Sequence, residues 1–128
     1  MEYQGSCHCG AIRFQFVAAP IQRGLRCNCS LCLRKGALMS PEIIPASEFH
    51  VTVEEEGMLG LYQFGSHRAK HYFCRRCGIY PFHETLRKAD HYRVNLGCVD
   101  DLDVLALPVE VLDGRHLLPG VEGFSPDP

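Results

Sequence analysis

Eight cysteines limit the possible folds of this 128-residue chain more than any other feature. Seven of them fall into three short groups, which are Cys7-His8-Cys9-Gly10, Cys27-Asn28-Cys29-Ser30-Leu31-Cys32 and Cys74-Arg75-Arg76-Cys77-Gly78, and Cys98 stands apart. The N-terminal residues show no basic region followed by an apolar stretch, so we expect no secretory signal and a cytoplasmic protein. Reducing conditions there disfavour disulfides, and clustered cysteines in that compartment typically bind metal.

The first and third groups have the spacing of a structural zinc site. Such a site uses four thiolates in a tetrahedron, and a Cys-x-x-Cys turn lets two sulfurs reach one ion from a single loop. Gly10 and Gly78 follow the second cysteine of each group and adopt positive φ angles at low cost. We therefore predict one structural zinc ion held by Cys7, Cys9, Cys74 and Cys77. Free thiols in a reduced core, or disulfides, are the alternatives.

The middle group supplies three sulfurs from six residues, namely Cys27, Cys29 and Cys32. Three protein ligands leave one position of a tetrahedral ion open, and open positions are where zinc performs chemistry. An incoming thiol that binds there loses its proton and becomes a nucleophile. We predict a catalytic zinc ion at this group. A second structural site, completed by Cys98 or a histidine, is the alternative.

Alternation of apolar and polar residues predicts a mainly β fold. The predicted strands are residues 12–16, 49–53, 59–64, 92–96 and 109–112. Helical signals are limited to residues 29–35, with Asn28 or Ser30 as N-cap and Gly36 as the stop, and to residues 101–107 before Pro108. We therefore expect small sheets with one or two short helices.

Length and composition indicate one soluble domain. A chain of 128 residues is the usual size of a single hydrophobic core. We expect a zinc-binding domain over residues 1–118 and an irregular tail, rich in Pro and Gly, over residues 119–128. Thirteen Lys and Arg against fifteen Asp and Glu argue against a nucleic-acid partner. No apolar run approaches the roughly 18 residues that a bilayer span needs, so we expect no membrane segment.

Other reactive residues near the cysteines have simpler interpretations. The basic residues beside the groups are Arg23, Arg26, Arg34, Lys35, Arg75 and Arg76. They can offset thiolate charge or bind a substrate carboxylate, but solvated surface charges are the simpler interpretation. We expect His8, His67, His71 and His83 to be core or surface residues rather than bases. We interpret Cys98 as a small buried hydrophobe, with a reactive thiol as the alternative.

The order of the three cysteine groups resembles the glutathione-dependent formaldehyde-activating enzyme and centromere protein V family. Further matching segments are Ser6-Cys7-His8-Cys9-Gly10-Ala11-Ile12-Arg13-Phe14, Lys35-Gly36-Ala37, Tyr80-Pro81-Phe82 and Val94-Asn95-Leu96-Gly97-Cys98. The resemblance covers residues 4–118. It implies an all-β zinc fold of small antiparallel sheets folded over each other, similar to that of methionine-R-sulfoxide reductases.

The resemblance also implies a cofactor, a partner and an activity. Two Zn²⁺ ions would be present, a structural one at Cys7, Cys9, Cys74 and Cys77 and a catalytic one at Cys27, Cys29 and Cys32. The activity would be that of a carbon–sulfur lyase joining a small thiol, glutathione, to formaldehyde as S-hydroxymethylglutathione. Two other hypotheses remain open at this point. One is a non-enzymatic zinc module that binds a protein, and the other is a reductase in which Cys98 attacks an oxidised sulfur.

Overall fold

The computed structural model describes residues 1–114, which form ten strands, one α-helix and three 3-10 turns. The strands are β1 Glu2–Ser6, β2 Ile12–Val17, β3 Gly24–Cys27, β4 Ile44–Pro45, β5 Phe49–Val53, β6 Leu59–Tyr62, β7 Lys70–Cys74, β8 Phe82–Glu84, β9 His91–Val94 and β10 Val109–Leu112. The helix α1 is Ser30–Lys35, and the turns are Ala46–Glu48, Leu96–Cys98 and Val104–Ala106. The expected mainly β fold is confirmed. The predicted tail, residues 119–128, lies outside the described residues.

Two helix predictions need correction. Neither Asn28 nor Ser30 caps α1, because the Cys29 sulfur takes the N-cap position and accepts a hydrogen bond from the Cys32 amide. The predicted stop is confirmed, since Gly36 has a φ of 66°. The second helix shrinks to the 3-10 turn Val104–Ala106, because Asp101 takes a left-handed φ of 57° and Pro108 follows closely. Within residues 1–114, no helix combines the length and apolar character required to cross a bilayer.

Ten short strands form three small sheets. Strands β1, β2 and β5 make an antiparallel sheet in the order β1-β2-β5, and a second antiparallel sheet has the order β4-β9-β8-β7-β6. Strands β3 and β10 pair in parallel, with Val109 opposite Gly24 and Leu112 opposite Cys27. This pairing brings the end of β10 next to Cys27, the last residue of β3.

An aromatic core joins the two larger sheets. Burial alternates along β2, where Ile12, Phe14 and Phe16 are buried and the residues between them are exposed. From the other sheet, Phe82 packs edge-on against Phe49 with ring centroids 4.9 Å apart. Phe49 also stacks on Tyr92 at 4.7 Å. The core therefore fixes how the sheets meet, and with it the relative positions of the cysteine groups.

We expect Phe82→Ala to destabilise the fold by about 3–5 kcal/mol, because it empties a fully enclosed aromatic site. Phe82 is 1% exposed, whereas Leu105, the control, is 96% exposed. Urea denaturation of both variants is the measurement, and Leu105→Ala should stay close to the wild type. Equal destabilisation by the two substitutions would contradict this placement of the core.

Candidate metal centres and the adjoining cavity

The first and third cysteine groups meet as one four-sulfur cluster. Cys7, Cys9, Cys74 and Cys77 have all their sulfur atoms within 4.8 Å of one another. The Cys9 sulfur lies 3.7 Å from that of Cys7 and 3.6 Å from that of Cys74. A tetrahedron of sulfurs around zinc, with Zn–S near 2.3 Å, has edges of about 3.8 Å. The donor set and its spacing therefore fit a zinc ion.

Local backbone geometry supports these sulfurs. Gly10 and Gly78 have φ angles of 82° and 76°, as the sequence predicted, so the chain turns beneath each cysteine pair. The Ile12 amide donates to the Cys7 sulfur at 3.4 Å, and the Arg76 amide donates to the Cys74 sulfur at 3.4 Å. Such N–H donors stabilise negatively charged sulfur.

Burial, by contrast, opposes ionisation of Cys7. It raises the pKa of Cys7 to about 11. A divalent cation at the centre would reverse that balance, because a coordinating thiol is deprotonated outright.

The middle group forms a separate three-sulfur cluster. Cys27 ends β3, Cys29 caps α1 and Cys32 lies in the first turn of α1. Their sulfur atoms lie within 4.8 Å of one another, and no fourth cysteine, histidine or carboxylate joins them within residues 1–114. Within the described residues, Cys98 therefore does not complete a second four-ligand structural site. Three sulfurs can bind an ion and leave one tetrahedral position for another ligand.

Charge in the three-sulfur cluster also points to a cation. Hydrogen bonds with Cys27 and Cys32 lower the pKa of Cys29, whereas hydrogen bonds with Cys27 and Cys29 raise the pKa of Cys32. The sulfurs therefore share one negative charge readily and resist a second and a third. A divalent ion would make three thiolates possible and leave a net charge of about −1. The buried Arg93 and the half-buried Lys35 are the nearby cations that offset it.

A cavity of about 130 Å³ adjoins the three-sulfur cluster. Its apolar wall includes Leu25, Met39 and Phe64, and its polar wall includes Ser30, His71, His83 and Arg93. The exposed Arg87 also lines it. The cluster thus faces a space that can take a small molecule, with both apolar and hydrogen-bonding groups in its lining.

The polar wall contains residues that the sequence did not predict for the site. His71 and His83 lie opposite each other on β7 and β8, with ring centroids 5.2 Å apart. Lys35 places its Nζ 2.6 Å from His71 Nδ1 and 3.7 Å from the centre of the Tyr80 ring. His71 and His83 are buried, as core histidines are, and they also line the cavity. The available signal was that His71 and His83 stand next to the aromatic residues Tyr72 and Phe82 in short strands. That pattern does not show that the two histidines share a cavity with the three-sulfur cluster.

Most of the remaining candidate residues lie away from the cavity. Arg23 and Arg76 make exposed ion pairs with Glu110 and Glu54, as surface charges do. His8 and His67 are exposed. The Cys98 thiol does not line the cavity, and burial raises its pKa to about 12, which disfavours a nucleophilic thiolate.

The backbone at Gly114 passes so close to the three-sulfur cluster that only glycine fits there. A Cβ atom at this position would lie 2.3 Å from the Cys27 sulfur. We expect Gly114→Ala to displace that sulfur and weaken metal binding there by about 10- to 100-fold, the size of effect seen when the surroundings of metal ligands change. The four-sulfur cluster should keep its affinity.

Competition titration with Co²⁺ measures the two affinities separately. Gly97→Ala is the control, because its new Cβ would come no closer than 3.2 Å to the Asn95 side chain. If Gly114→Ala bound two equivalents of metal as tightly as Gly97→Ala, the contact would not constrain the site.

Comparisons with known proteins agree with this geometry. A crystal structure of a Rhodobacter sphaeroides protein, solved as a Northeast Structural Genomics target, matches with a TM-score of 0.72 and 35% sequence identity. The match covers 84% of this chain and 99% of that chain. The family described as glutathione-dependent formaldehyde-activating enzyme matches residues 2–112, which include all seven clustered cysteines. The chain therefore belongs to the glutathione-dependent formaldehyde-activating enzyme family.

Proposed function

We propose that the protein is a cytoplasmic zinc-dependent carbon–sulfur lyase that acts on the adduct of a small thiol, of the glutathione type, with a carbonyl compound. One observation carries this proposal: the three-sulfur cluster has no fourth protein ligand within residues 1–114 and faces a cavity. A purely structural site has no use for an open position beside a cavity. Family membership supports the same class of reaction.

The two clusters have different roles in this proposal. Cys7, Cys9, Cys74 and Cys77 hold a structural zinc ion that fastens the β1–β2 turn to the end of β7. Cys27, Cys29 and Cys32 would hold a catalytic zinc ion, and the chemistry that it would supply there is activation of a thiol by lowering the thiol pKa. The protein then has to position the thiol and the carbonyl, because such a mild addition requires proximity and thiol activation.

The cavity walls provide that positioning. Leu25, Met39 and Phe64 offer apolar contact to the carbon chain of a thiol. Arg93 is buried and donates to the Ser40 carbonyl at 2.9 Å, so its guanidinium is fixed beside the cavity. Arg87 is exposed at the same cavity and can bind a carboxylate of the substrate. The proposed substrate is therefore a thiol that carries negative charge away from its sulfur.

A titration of the cobalt-substituted protein tests the function. We expect glutathione to change the sulfur-to-cobalt charge-transfer bands, because its thiol enters the coordination shell at the three-sulfur cluster. S-methylglutathione is the matched control, since it keeps the carboxylates and lacks the free thiol. No spectral change with glutathione or any other low-mass thiol, or the same change with S-methylglutathione, would overturn the proposal.

A further inference from the structure

The polar wall of the cavity contains a histidine with one committed nitrogen and one free nitrogen. His71 Nδ1 lies 2.6 Å from Lys35 Nζ, and the His71 ring stacks on Phe64 with centroids 5.8 Å apart. His71 Nε2 has no hydrogen-bond partner among residues 1–114. Ser30 Oγ is the one side-chain oxygen or nitrogen in that part of the chain that is both fully buried and unpartnered. Since His71 Nε2 is unpartnered and is not among the fully buried atoms, it keeps some accessibility, and His71 lines the cavity.

The partner of Nδ1 decides which nitrogen carries the proton. A protonated lysine has three donors and no acceptor, so His71 Nδ1 accepts from Lys35 and the ring proton resides on Nε2. Burial and the Lys35 charge lower the pKa of His71 to about 3, which keeps the ring neutral. Burial lowers the pKa of Lys35 to about 8, while the nearby Cys32 and Cys29 thiolates oppose the decrease. At neutral pH the pair is thus a charged lysine donating to a neutral histidine.

Two further polar side chains lie on the same wall. Ser30 is 6% exposed, lines the cavity and has an unpartnered hydroxyl. His83 also lines the cavity, and its Nδ1 is hydrogen-bonded to the Tyr80 hydroxyl. A buried hydroxyl without a partner costs free energy unless a ligand satisfies it. The Ser30 hydroxyl therefore has no acceptor for its hydrogen bond, and an oxygen atom of a bound molecule can supply one.

We propose that His71 is a catalytic residue that donates its Nε2 proton to the oxygen of a carbonyl substrate, with Lys35 as the positioning residue and Ser30 as a second donor to that oxygen. This inference rests on the proposed function, because the carbonyl is taken to be the acceptor of the thiol. It assigns to the polar wall of the cavity the task of binding oxygen.

The step balances as follows in atoms and charge. The thiolate sulfur forms a bond to the carbonyl carbon, and the π electron pair of the C=O bond moves to oxygen. His71 gives its Nε2 proton to that oxygen, while Lys35 gives a proton to His71 Nδ1. After the product leaves, a solvent proton returns to Nε2 and Nδ1 gives its proton back to Lys35, which restores the starting pair. The product is the neutral hydroxyalkyl thioether, and the reverse sequence releases the carbonyl. General acid catalysis of this kind typically contributes about 10²- to 10⁴-fold.

A binding measurement tests the oxygen site without any thiol. The probe is formamide, a small carbonyl compound that does not add to thiols, and the readout is ¹⁵N NMR of the histidine rings in the zinc-loaded protein. We expect His71 to show the Nε2–H tautomer and its Nε2 signal to shift as formamide is added. Lys35→Met should turn His71 into a mixture of tautomers, whereas Lys35→Arg, which retains a donor, should preserve the signal. A His71 signal unaffected by formamide, or a tautomer unchanged in Lys35→Met, would overturn the inference.

A kinetic measurement tests the proton transfer. The catalysed exchange between glutathione, formaldehyde and their adduct is followed by ¹³C NMR, with His71→Phe as the variant because it keeps the stack on Phe64. We expect the exchange rate at saturating thiol to fall by about 10²- to 10⁴-fold. Glutathione should change the cobalt spectrum of His71→Phe in the same way as it changes that of the wild type. His50→Phe is the control, because His50 is an exposed histidine on β5.

The two proposals fail in different ways. If glutathione leaves the cobalt spectrum of the wild type unchanged, the proposed function fails, whatever His71 does with formamide. If glutathione binds and His71→Phe exchanges at the wild-type rate, the function stands and the inference about His71 is wrong.

Discussion

We expect Cys74→Ala to leave the protein largely unfolded at room temperature. Cys74 is fully buried, at 0% exposure, and contributes one of the four sulfurs that link the β1–β2 turn to β7. Structural zinc contributes folding free energy of about 10 kcal/mol or more in small zinc domains, which is comparable to the whole stability of a domain. Far-UV circular dichroism and the zinc content of the purified protein are the measurements.

Cys98→Ala is the matched control for this loss. It removes the same thiol from a partly buried position outside both clusters, so we expect a folded protein with two zinc ions. Adding a strong chelator to the wild type should reproduce the Cys74→Ala result. A folded Cys74→Ala protein with the melting temperature of Cys98→Ala would show that the four-sulfur cluster does not hold the fold together.

We expect Cys29→Ser to abolish the thiol chemistry and leave the fold intact. Serine is a favoured N-cap, so the hydrogen bond that Cys29 accepts from the Cys32 amide can be retained. The hydroxyl is a much poorer zinc ligand than a thiolate, and we expect affinity at the three-sulfur cluster to fall by more than about 100-fold, since even changes around metal ligands cost 10- to 100-fold. The exchange of glutathione and formaldehyde should return to its uncatalysed rate.

The comparison with Cys77→Ser separates the two clusters. Thermal denaturation and zinc content of both variants should give a folded protein with one ion for Cys29→Ser and a strongly destabilised protein for Cys77→Ser. Equal losses of melting temperature would instead indicate two structural sites. That outcome would favour a non-enzymatic zinc module over a lyase.

The cysteine groups and the fold class were accessible from the sequence because their determinants are local. A Cys-x-x-Cys turn followed by Gly78 encodes half of a metal site within five residues, and the period-two pattern of β2 encodes a strand in six. We paired the two half-sites because structural zinc has a coordination number of four and each half-site supplies two ligands.

The polar wall was not accessible because its members meet only through pairing over long distances. Lys35 and His71 are 36 residues apart, so their contact forms only in the folded chain. Strand β8 spans only Phe82–Glu84, too short for a periodic signal. The parallel pairing of β3 with β10, which brings Gly114 onto Cys27, has no signature in either strand alone. The helix cap at Cys29 was missed because a ligand sulfur occupies a position where oxygen-bearing side chains are typical.

The two clusters differ in how far apart their sulfurs are along the chain, and in the proposed two-zinc protein this would govern the order in which a newly made polypeptide binds metal. Cys27, Cys29 and Cys32 fall within one short peptide, whereas joining Cys9 to Cys74 closes a segment of 65 residues. Closing the longer segment costs about 2 kcal/mol more in chain entropy. The short peptide therefore competes for zinc before any sheet has formed. Because an ion bound by the unfolded chain does not favour folding, scarce metal should delay maturation of this protein.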